Sequence, residues 1–309
     1  MARAHVDPEG WAKKVRRWKI IALILLVTGT IVWALKEHIL PARHNAKIYA
    51  QAEEALAQGN LAEAVDCFSL ISDYQDAWTR AKELAYSKQA DDSFLQSLQN
   101  AELGDVVSFG TWEQDGSTQN GPEPIRWIVL SDDEDRVLLW SEKLLDGARY
   151  NETPGDITWA DCTLRSYLND TFYHTAFSPE DQLLVQNTVV ENPDNAASGI
   201  DGGEDTEDHV FILSFNELLA FSTFNPNLSS ISGIATRYAA SQGVEVHREY
   251  RTSSWWLRGP GVSQSTVTYC DMADMPIYTC IADRTGLGVR PAMWVIVPGR
   301  TQTQVEAGE

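Results

Sequence analysis

An uncharged segment at residues 20–35 constrains the fold of this chain more than any other feature of its sequence. As a helix these residues would rise about 24 Å, which is short of a hydrocarbon core about 30 Å thick. The flanking Lys19 and Lys36 can reach the lipid headgroups by snorkelling, and Ile39 and Leu40 can extend the apolar run. We therefore predict a transmembrane helix at residues 20–40.

The distribution of basic residues sets the expected orientation of this helix. Six of the 24 Lys and Arg residues, but only two of the 44 Asp and Glu residues, lie in residues 1–19. Because basic flanks are retained in the cytoplasm, residues 1–19 are predicted to be a cytoplasmic tail and the rest of the chain extracytoplasmic. Two alternatives remain open: a signal peptide cleaved after Ala34, and a buried helix of a soluble protein.

The part of the chain beyond residue 19 is strongly acidic, with a net charge of −24. This charge argues against binding to nucleic acid or to anionic lipid surfaces. The hydrophobic content of 43% and the 11 Trp residues can fill a sizeable core. The expected partners are therefore the lipid bilayer, through residues 20–40, and a protein or glycan ligand outside the cytoplasm.

Residues 45–101 have the composition and apolar spacing of helices. Asn60 and Glu63 form a capping-box pattern at the start of one of them. Four neighbouring positions are similar to the packing positions of a tetratricopeptide repeat: Gly59, Leu61, Ala64 and Phe68. Since a repeat array needs about three copies, we interpret the segment as a tetratricopeptide-like stalk and not as a peptide-binding groove.

The period changes to that of strands after residue 103, and an α+β domain is predicted at residues 103–298, followed by a disordered tail at 299–309. Strands at 125–130 and 136–140 should form a hairpin. Helices should begin where a hydroxyl residue precedes an acid by three positions, which occurs at Thr158, Ser178 and Ser214.

Several segments of this domain resemble, in the same order, a bacterial family of extracytoplasmic domains of unknown function. The segments that carry the resemblance are 103–110, 124–130, 138–146, 163–169, 210–214, Trp255-Trp256-Leu257-Arg258 and Gly288-Val289-Arg290-Pro291-Ala292. The last two also resemble the end of C-type-lectin-like and sulfatase-modifying-enzyme-like folds. The resemblance implies a C-type-lectin-like domain behind a membrane anchor, without implying an activity.

Aromatic and guanidinium groups near the end of the chain are the candidate ligand-binding residues. Trp256 can stack on a sugar or another flat group, and Arg258 and Arg290 offer rigid forks of donors. In a strand, however, Trp255 and Trp256 point to opposite faces, so at least one of them is expected in the core. Both arginines have an equally simple structural interpretation, in which they hold loops together.

An acidic loop at residues 191–208 is the candidate metal site. It contains Asp201, Asp205 and Asp208 among seven acidic residues, with no Lys or Arg, and such oxygen ligands suit calcium. The spacing is not that of an EF-hand, and a solvated acidic loop is the alternative.

The four cysteines lack the spacing of metal ligands. Cys270 and Cys280 are the candidates for a disulfide, because the intervening Met275-Pro276 could turn the chain and bring them together outside the cytoplasm. Cys67 and Cys162 are interpreted as small core residues.

Common catalytic signatures are missing from the sequence, including His-Glu-x-x-His, Gly-x-Ser-x-Gly and a phosphate-binding glycine loop. We therefore expect a non-enzymatic, membrane-anchored binding module for a carbohydrate, a peptide or an envelope protein. Two alternatives remain open: an enzyme of the sulfatase-modifying, formylglycine-generating type that uses Cys270 and Cys280, and a scaffold subunit of an envelope complex.

Overall fold

The computed structural model describes residues 40–87, 93–133, 135–224, 233–271 and 277–297. The predicted tail at 1–19, the predicted span up to residue 39 and the predicted C-terminal tail at 299–309 lie outside these ranges. Within the described ranges, no helix combines the length and the apolarity needed to cross a bilayer.

Four helices form the first described part of the chain, as the composition of residues 45–101 predicts. They are α1 Leu40–Ala57, α2 Leu61–Leu70, α3 Ala77–Tyr86 and α4 Ser93–Gln99. Gly59 allows the tight turn between α1 and α2, since its φ of 79° lies in the left-handed region that favours glycine. The predicted N-cap is confirmed, because Asn60 Oδ1 accepts from the Glu63 amide. The Glu63 side chain accepts from Asn60 Nδ2 at 2.8 Å and not from the Asn60 amide, which donates to the Ala55 carbonyl, so the capping box is only half formed.

These helices pack against the following domain instead of extending from it as a separate stalk. Val65 of α2, Ala85 of α3 and Leu95 of α4 belong to the same buried cluster as the side chains of the sheets. Asp66 on α2 also forms a hydrogen bond with His209 of the domain, with 2.9 Å between Asp66 Oδ1 and His209 Nε2. The helical segment and the domain are therefore joined by a common core.

The remainder of the chain is α+β, as predicted. Its strands are β1 Val106–Trp112, β2 Glu123–Asp133, β3 Arg136–Ser141, β4 Asp146–Gly147, β5 Thr188–Val190, β6 Thr206–Asp208, β7 Phe211–Ile212, β8 Trp255–Pro260, β9 Thr266–Cys270, β10 Ile277–Ile281, β11 Gly288–Val289 and β12 Pro291–Ile296. Its helices are α5 Thr163–Tyr167, a π-helical turn Leu168–Phe172, α6 Tyr173–Ala176, α7 Pro179–Gln182, α8 Phe215–Phe224 and α9 Arg237–Ser241.

Two five-stranded sheets build the domain. The first has the order β1-β2-β3-β12-β7, and every neighbouring pair in it is antiparallel. The predicted β2–β3 hairpin is confirmed by the pairing of Ile128 with Trp140. The second sheet has the order β10-β9-β8-β11-β4, in which only β8 and β11 run parallel. A two-stranded sheet of β5 and β6 holds the ends of the acidic loop.

Two of the three predicted helix starts are confirmed. Ser178 and Ser214 accept hydrogen bonds from the amides three residues later, at 3.1 Å and 3.2 Å. The prediction at Thr158 is wrong, because the chain forms a turn there and α5 begins at Thr163. The cap of α5 is Cys162, whose Sγ accepts from the Arg165 amide at 3.4 Å.

Candidate functional site

Trp256 lies in the core and does not offer a binding platform. The side chain has no exposed surface, its Nε1 donates to the Ala148 carbonyl at 2.8 Å, and its ring packs against Tyr150 at 5.7 Å. Trp255 is also buried, on the opposite face of β8, where its ring lies 6.4 Å from that of Trp140. The expected alternation along the strand therefore holds, but both tryptophans serve the core.

Arg258 is buried and fully engaged by the surrounding chain. Its Nε donates to Asn192 Oδ1 at 3.1 Å, its Nη1 to the Ile212 carbonyl at 2.7 Å, and its Nη2 to the Glu191 carbonyl at 3.2 Å. Nη2 also pairs with Glu217 Oε1 at 3.0 Å. Arg258 thus ties β8 to the start of the acidic loop, to β7 and to α8, which is the structural role that the sequence left open.

Glu217 completes this arrangement from the first turn of α8. Its Oε2 accepts from the Ser214 amide at 2.6 Å, while Ser214 Oγ accepts from the Glu217 amide at 3.2 Å. This is the reciprocal capping box that the Ser-x-x-Glu spacing predicts. The second carboxylate oxygen remains free to bind Arg258, so one side chain closes the helix and neutralises the buried cation.

A cleft of about 190 Å³ lies against this network. We call it the 191–202 cleft, because that loop forms one of its walls. The first turn of α8 and the end of β8 form the others, and Phe215, which is 41% exposed, lies at its edge. Its lining consists of residues 191–197, Gly202, Ser214, Phe215, Asn216, Arg258, Gly259, Pro260 and Thr268.

The loop wall of the 191–202 cleft is held by amide and carboxylate side chains. Asn195 Nδ2 donates to the carbonyls of Pro260 and Gly261 at 2.9 Å and 3.0 Å, which fixes the loop to the end of β8. Asp194 Oδ1 accepts from the Gly202 amide at 3.1 Å. A Cβ at position 202 would lie 2.1 Å from the Asn192 carbonyl oxygen, so only glycine fits there. The loop is therefore shaped by hydrogen bonds within the protein.

The predicted calcium ligands do not come together. Asp208 is buried and its two oxygens accept from Arg165 Nε at 2.6 Å and from Trp159 Nε1 at 2.8 Å. Asp205 accepts from the Asn192 amide, and Asp201 from the Gly203 amide, each at 2.9 Å. Calcium takes six to eight oxygen ligands around one point, and the carboxylates of these three residues do not converge on one point.

A different group of carboxylates does converge in the described part of the chain. Glu113, Asp115 and Glu123 offer oxygens that all lie within 4.8 Å of one another, on the connection between β1 and β2. This group was not predicted from the sequence, although turn-forming residues between Asp115 and Glu123 could have indicated that the chain returns on itself there. Asn120 Nδ2 donates to both Asp115 and Glu123, so part of the negative charge is met within the connection.

Arg290 is fully buried and structural. Its Nε and Nη2 donate to the carbonyls of Ser141 and Glu142 at 3.0 Å and 3.1 Å, and its guanidinium lies 3.4 Å from the ring centroid of Trp140. Burial lowers the pKa of this guanidinium to about 9, which leaves it protonated at neutral pH. Because the side chain has no exposed surface, it cannot reach a ligand at the domain surface.

Cys270 and Cys280 are free thiols. They lie on adjacent strands, but Cys270 pairs with Ile277 and Cys280 with Val267, an offset of three residues. That offset separates them by about 10 Å along the strands and places them on opposite faces, beyond the reach of a disulfide. Burial raises the pKa of the Cys270 thiol to about 12 and also raises that of Cys280, so neither is a ready thiolate.

Comparison with known proteins gives one family match. Residues 134–297 match the family described as Domain of unknown function (DUF6273), a range that contains the 191–202 cleft, all strands of the second sheet and strands β3, β7 and β12 of the first. No curated protein and no solved structure matches the chain. Since the match covers more than half of the 309 residues, this chain belongs to the DUF6273 family.

Proposed function

We propose that this protein is a membrane-anchored extracytoplasmic binding module that holds its ligand in the 191–202 cleft. The ligand is a carbohydrate, a peptide or a segment of an envelope protein. The anchor is the predicted helix at residues 20–40, which contains the uncharged segment 20–35, and the acidic remainder of the chain lies outside the cytoplasm. Within this proposal the domain is C-type-lectin-like and the preceding helices are tetratricopeptide-like, which rests on the sequence resemblance alone.

The observation that carries the proposal is a concave site with preformed walls. Arg258, Asn192 and Glu217 fix three separate segments around the cleft before any ligand arrives. Such preorganisation lowers the entropy that binding would otherwise cost. Phe215 adds an exposed aromatic face, which can pack on a sugar ring or an apolar side chain.

The enzymatic alternative has less support than a binding role. A formylglycine-generating type of chemistry needs reactive thiols, whereas Cys270 is buried and its raised pKa disfavours the thiolate. In the scaffold alternative, the protein binds its partner through the exposed outer surface of the helical segment. The inner surface of that segment already packs against the domain.

The test is a binding screen with the full chain in lipid nanodiscs against arrays of envelope glycans and defined peptides. We then expect Ala196→Trp, which fills the cleft, and Phe215→Ala, which removes its exposed ring, to weaken binding of any ligand found at least tenfold. Val189→Ala is the matched control, because Val189 is 52% exposed and lies outside the cleft.

A ligand that binds the Ala196→Trp and Phe215→Ala variants as tightly as the original chain would contradict the assignment of this cleft. A chain that consumes oxygen and loses that activity on replacement of Cys270 would favour the enzymatic alternative.

A further inference from the structure

A second cavity, of about 340 Å³, lies between the end of β1 and helix α9. It shares no lining residue with the 191–202 cleft. Two aromatic side chains, Trp112 from β1 and Tyr238 from α9, form part of its wall, and we call it the aromatic corner. Its other lining residues are Thr111, Glu113, Thr118, Gly121, Pro122 and Thr175.

The two rings of the aromatic corner stand almost perpendicular to each other. Their planes make an angle of 80° and their centroids are 6.3 Å apart. In a cation–π contact the cation can lie about 4.5 Å from the ring centroid. If one cation lies at that distance above the faces of two perpendicular rings, the two ring centroids are about 6.4 Å apart. The spacing and angle therefore suit a cation held between the two faces.

The electrostatic surroundings of the aromatic corner are negative. Glu113 lines the cavity and belongs to the convergent carboxylates with Asp115 and Glu123. Burial raises the pKa of Tyr238, and the negative charges of Asp146 and Glu113 raise it further. Arg237 is the neighbouring basic residue; it is exposed and helps to lower the pKa of Asp115. Glu113 lines the cavity, whereas Arg237 does not.

The indole N–H of Trp112 is buried and unpaired within the described part of the chain. The side chain is only 7% exposed, yet its Nε1 has no hydrogen-bond partner among the described residues. Buried indole N–H groups normally find an acceptor.

We propose that the aromatic corner binds an organic ammonium group, of the kind found in choline-like compounds. Trp112 and Tyr238 contact the alkylated nitrogen through their ring faces, and Glu113 balances its charge. This site is independent of the ligand proposed for the 191–202 cleft, so either assignment can fail without the other.

The experiment is calorimetric titration of the full chain in nanodiscs of phosphatidylglycerol with choline. The matched ligand control is 3,3-dimethylbutan-1-ol, which has the same shape without the charge. We expect choline to bind at least tenfold more tightly than this neutral alcohol. Equal affinity of the two compounds, or no binding of choline, would overturn the proposal.

Variants locate the bound cation. Tyr238→Ala and Glu113→Gln should each weaken choline binding at least fivefold, whereas Tyr238→Phe keeps the ring and should retain it. Tyr250→Ala, which replaces an exposed tyrosine outside the cavity, and Ala196→Trp in the 191–202 cleft should leave it unchanged. Unchanged binding by Tyr238→Ala would also overturn the assignment.

The ammonium group could come from a free solute or from a lipid headgroup. Vesicles of phosphatidylcholine and of phosphatidylglycerol, mixed with the chain, distinguish these sources. If phosphatidylcholine vesicles displace bound choline, the lipid headgroup is a ligand of the site. If they do not displace it, the ligand is the free solute. Either result supports the ammonium site.

Discussion

Glu217 and Arg258 are paired at 3.0 Å across the base of the 191–202 cleft, and the same carboxylate caps α8. The arginine side chain is 3% exposed and the glutamate side chain 34%. The glutamate is thus the solvent-facing member of a pair whose other member cannot reach water. Its removal leaves the buried cation with hydrogen bonds to neutral groups only.

We predict that Glu217→Ala destabilises the protein by about 2 kcal/mol, because it removes a helix cap and a charged hydrogen bond. Glu217→Gln keeps an acceptor for the Ser214 amide and should cost about 1 kcal/mol. The free energy of unfolding in urea measures both. Glu249→Ala, at an exposed position, is the control. Equal stability of Glu217→Ala and the control would contradict the role of the pair.

Replacement of Trp256 distinguishes a core residue from a surface platform. Trp256→Ala should cost about 3–5 kcal/mol because it opens a large cavity, and Trp256→Phe about 1–3 kcal/mol because the Ala148 carbonyl also loses its donor. Tyr250→Ala, at a side chain that is 63% exposed, should change the free energy of unfolding by less than about 0.5 kcal/mol. A Trp256→Ala protein of unchanged stability would place the indole outside the core.

We predict that titration of Cys270 lowers the stability of the protein at high pH. Burial raises the pKa of Cys270 from 9.0 to about 12, so the folded state keeps a proton that the unfolded state has already released in that range. The contribution of this thiol is therefore complete below pH 9 and is lost as the pH rises toward 12. Cys270→Ala should reduce the slope of stability against pH in this window. An identical slope would contradict the burial of the thiol.

Reduction and thiol labelling test whether Cys270 and Cys280 are free. A reducing agent should leave the melting temperature unchanged, since Cys270 and Cys280 are free. A thiol reagent at pH 8 should modify Cys280 faster than Cys270, which is fully buried. A decrease in melting temperature on reduction would indicate that a disulfide exists.

We predict a second pH dependence of the stability, at acidic pH, from the carboxyl group of Asp146. Burial raises the pKa of its carboxyl group above 3.8, although hydrogen bonds from Tyr167 and from the Gly147 amide oppose this shift. A raised pKa favours the protonated form in the folded state, so the contribution of this group to stability is complete below about pH 4 and is lost as the pH rises. Asp146→Asn should remove this decrease without loss of the fold, as urea unfolding between pH 3 and 7 would reveal. The same decrease in the variant would exclude Asp146 as its source.

Local patterns predicted the elements of the fold well. Apolar periodicity located the helices before residue 101, and the N-cap at Asn60 and the capping box at Ser214 are present as expected. The β2–β3 hairpin was also predictable, because the apolar segments 125–130 and 136–140 are separated by five polar residues. These signals act over a few residues and need no tertiary information.

The candidate sites were harder to predict because they depend on contacts distant in sequence. Arg258 contacts residues 41 to 67 positions away, and no local pattern indicates that its guanidinium is fully used. The spacing of Cys270 and Cys280 allows a bridge, whereas the register of β9 and β10 prevents it. Trp112 and Tyr238 are separated by more than a hundred residues and meet only in the folded domain.

The shared core between the helices and the domain has a mechanical consequence. Val65, Ala85 and Leu95 are buried together with sheet residues, so α2, α3 and α4 cannot swing away without exposing apolar surface. Whatever precedes Leu40 is therefore coupled to both cavities through a packed body, not through a loose tether. A tilt applied at the start of α1 would turn the openings of the 191–202 cleft and of the aromatic corner with it. The direction in which the two cavities open relative to α2, α3 and α4 is therefore set by the packing of the fold.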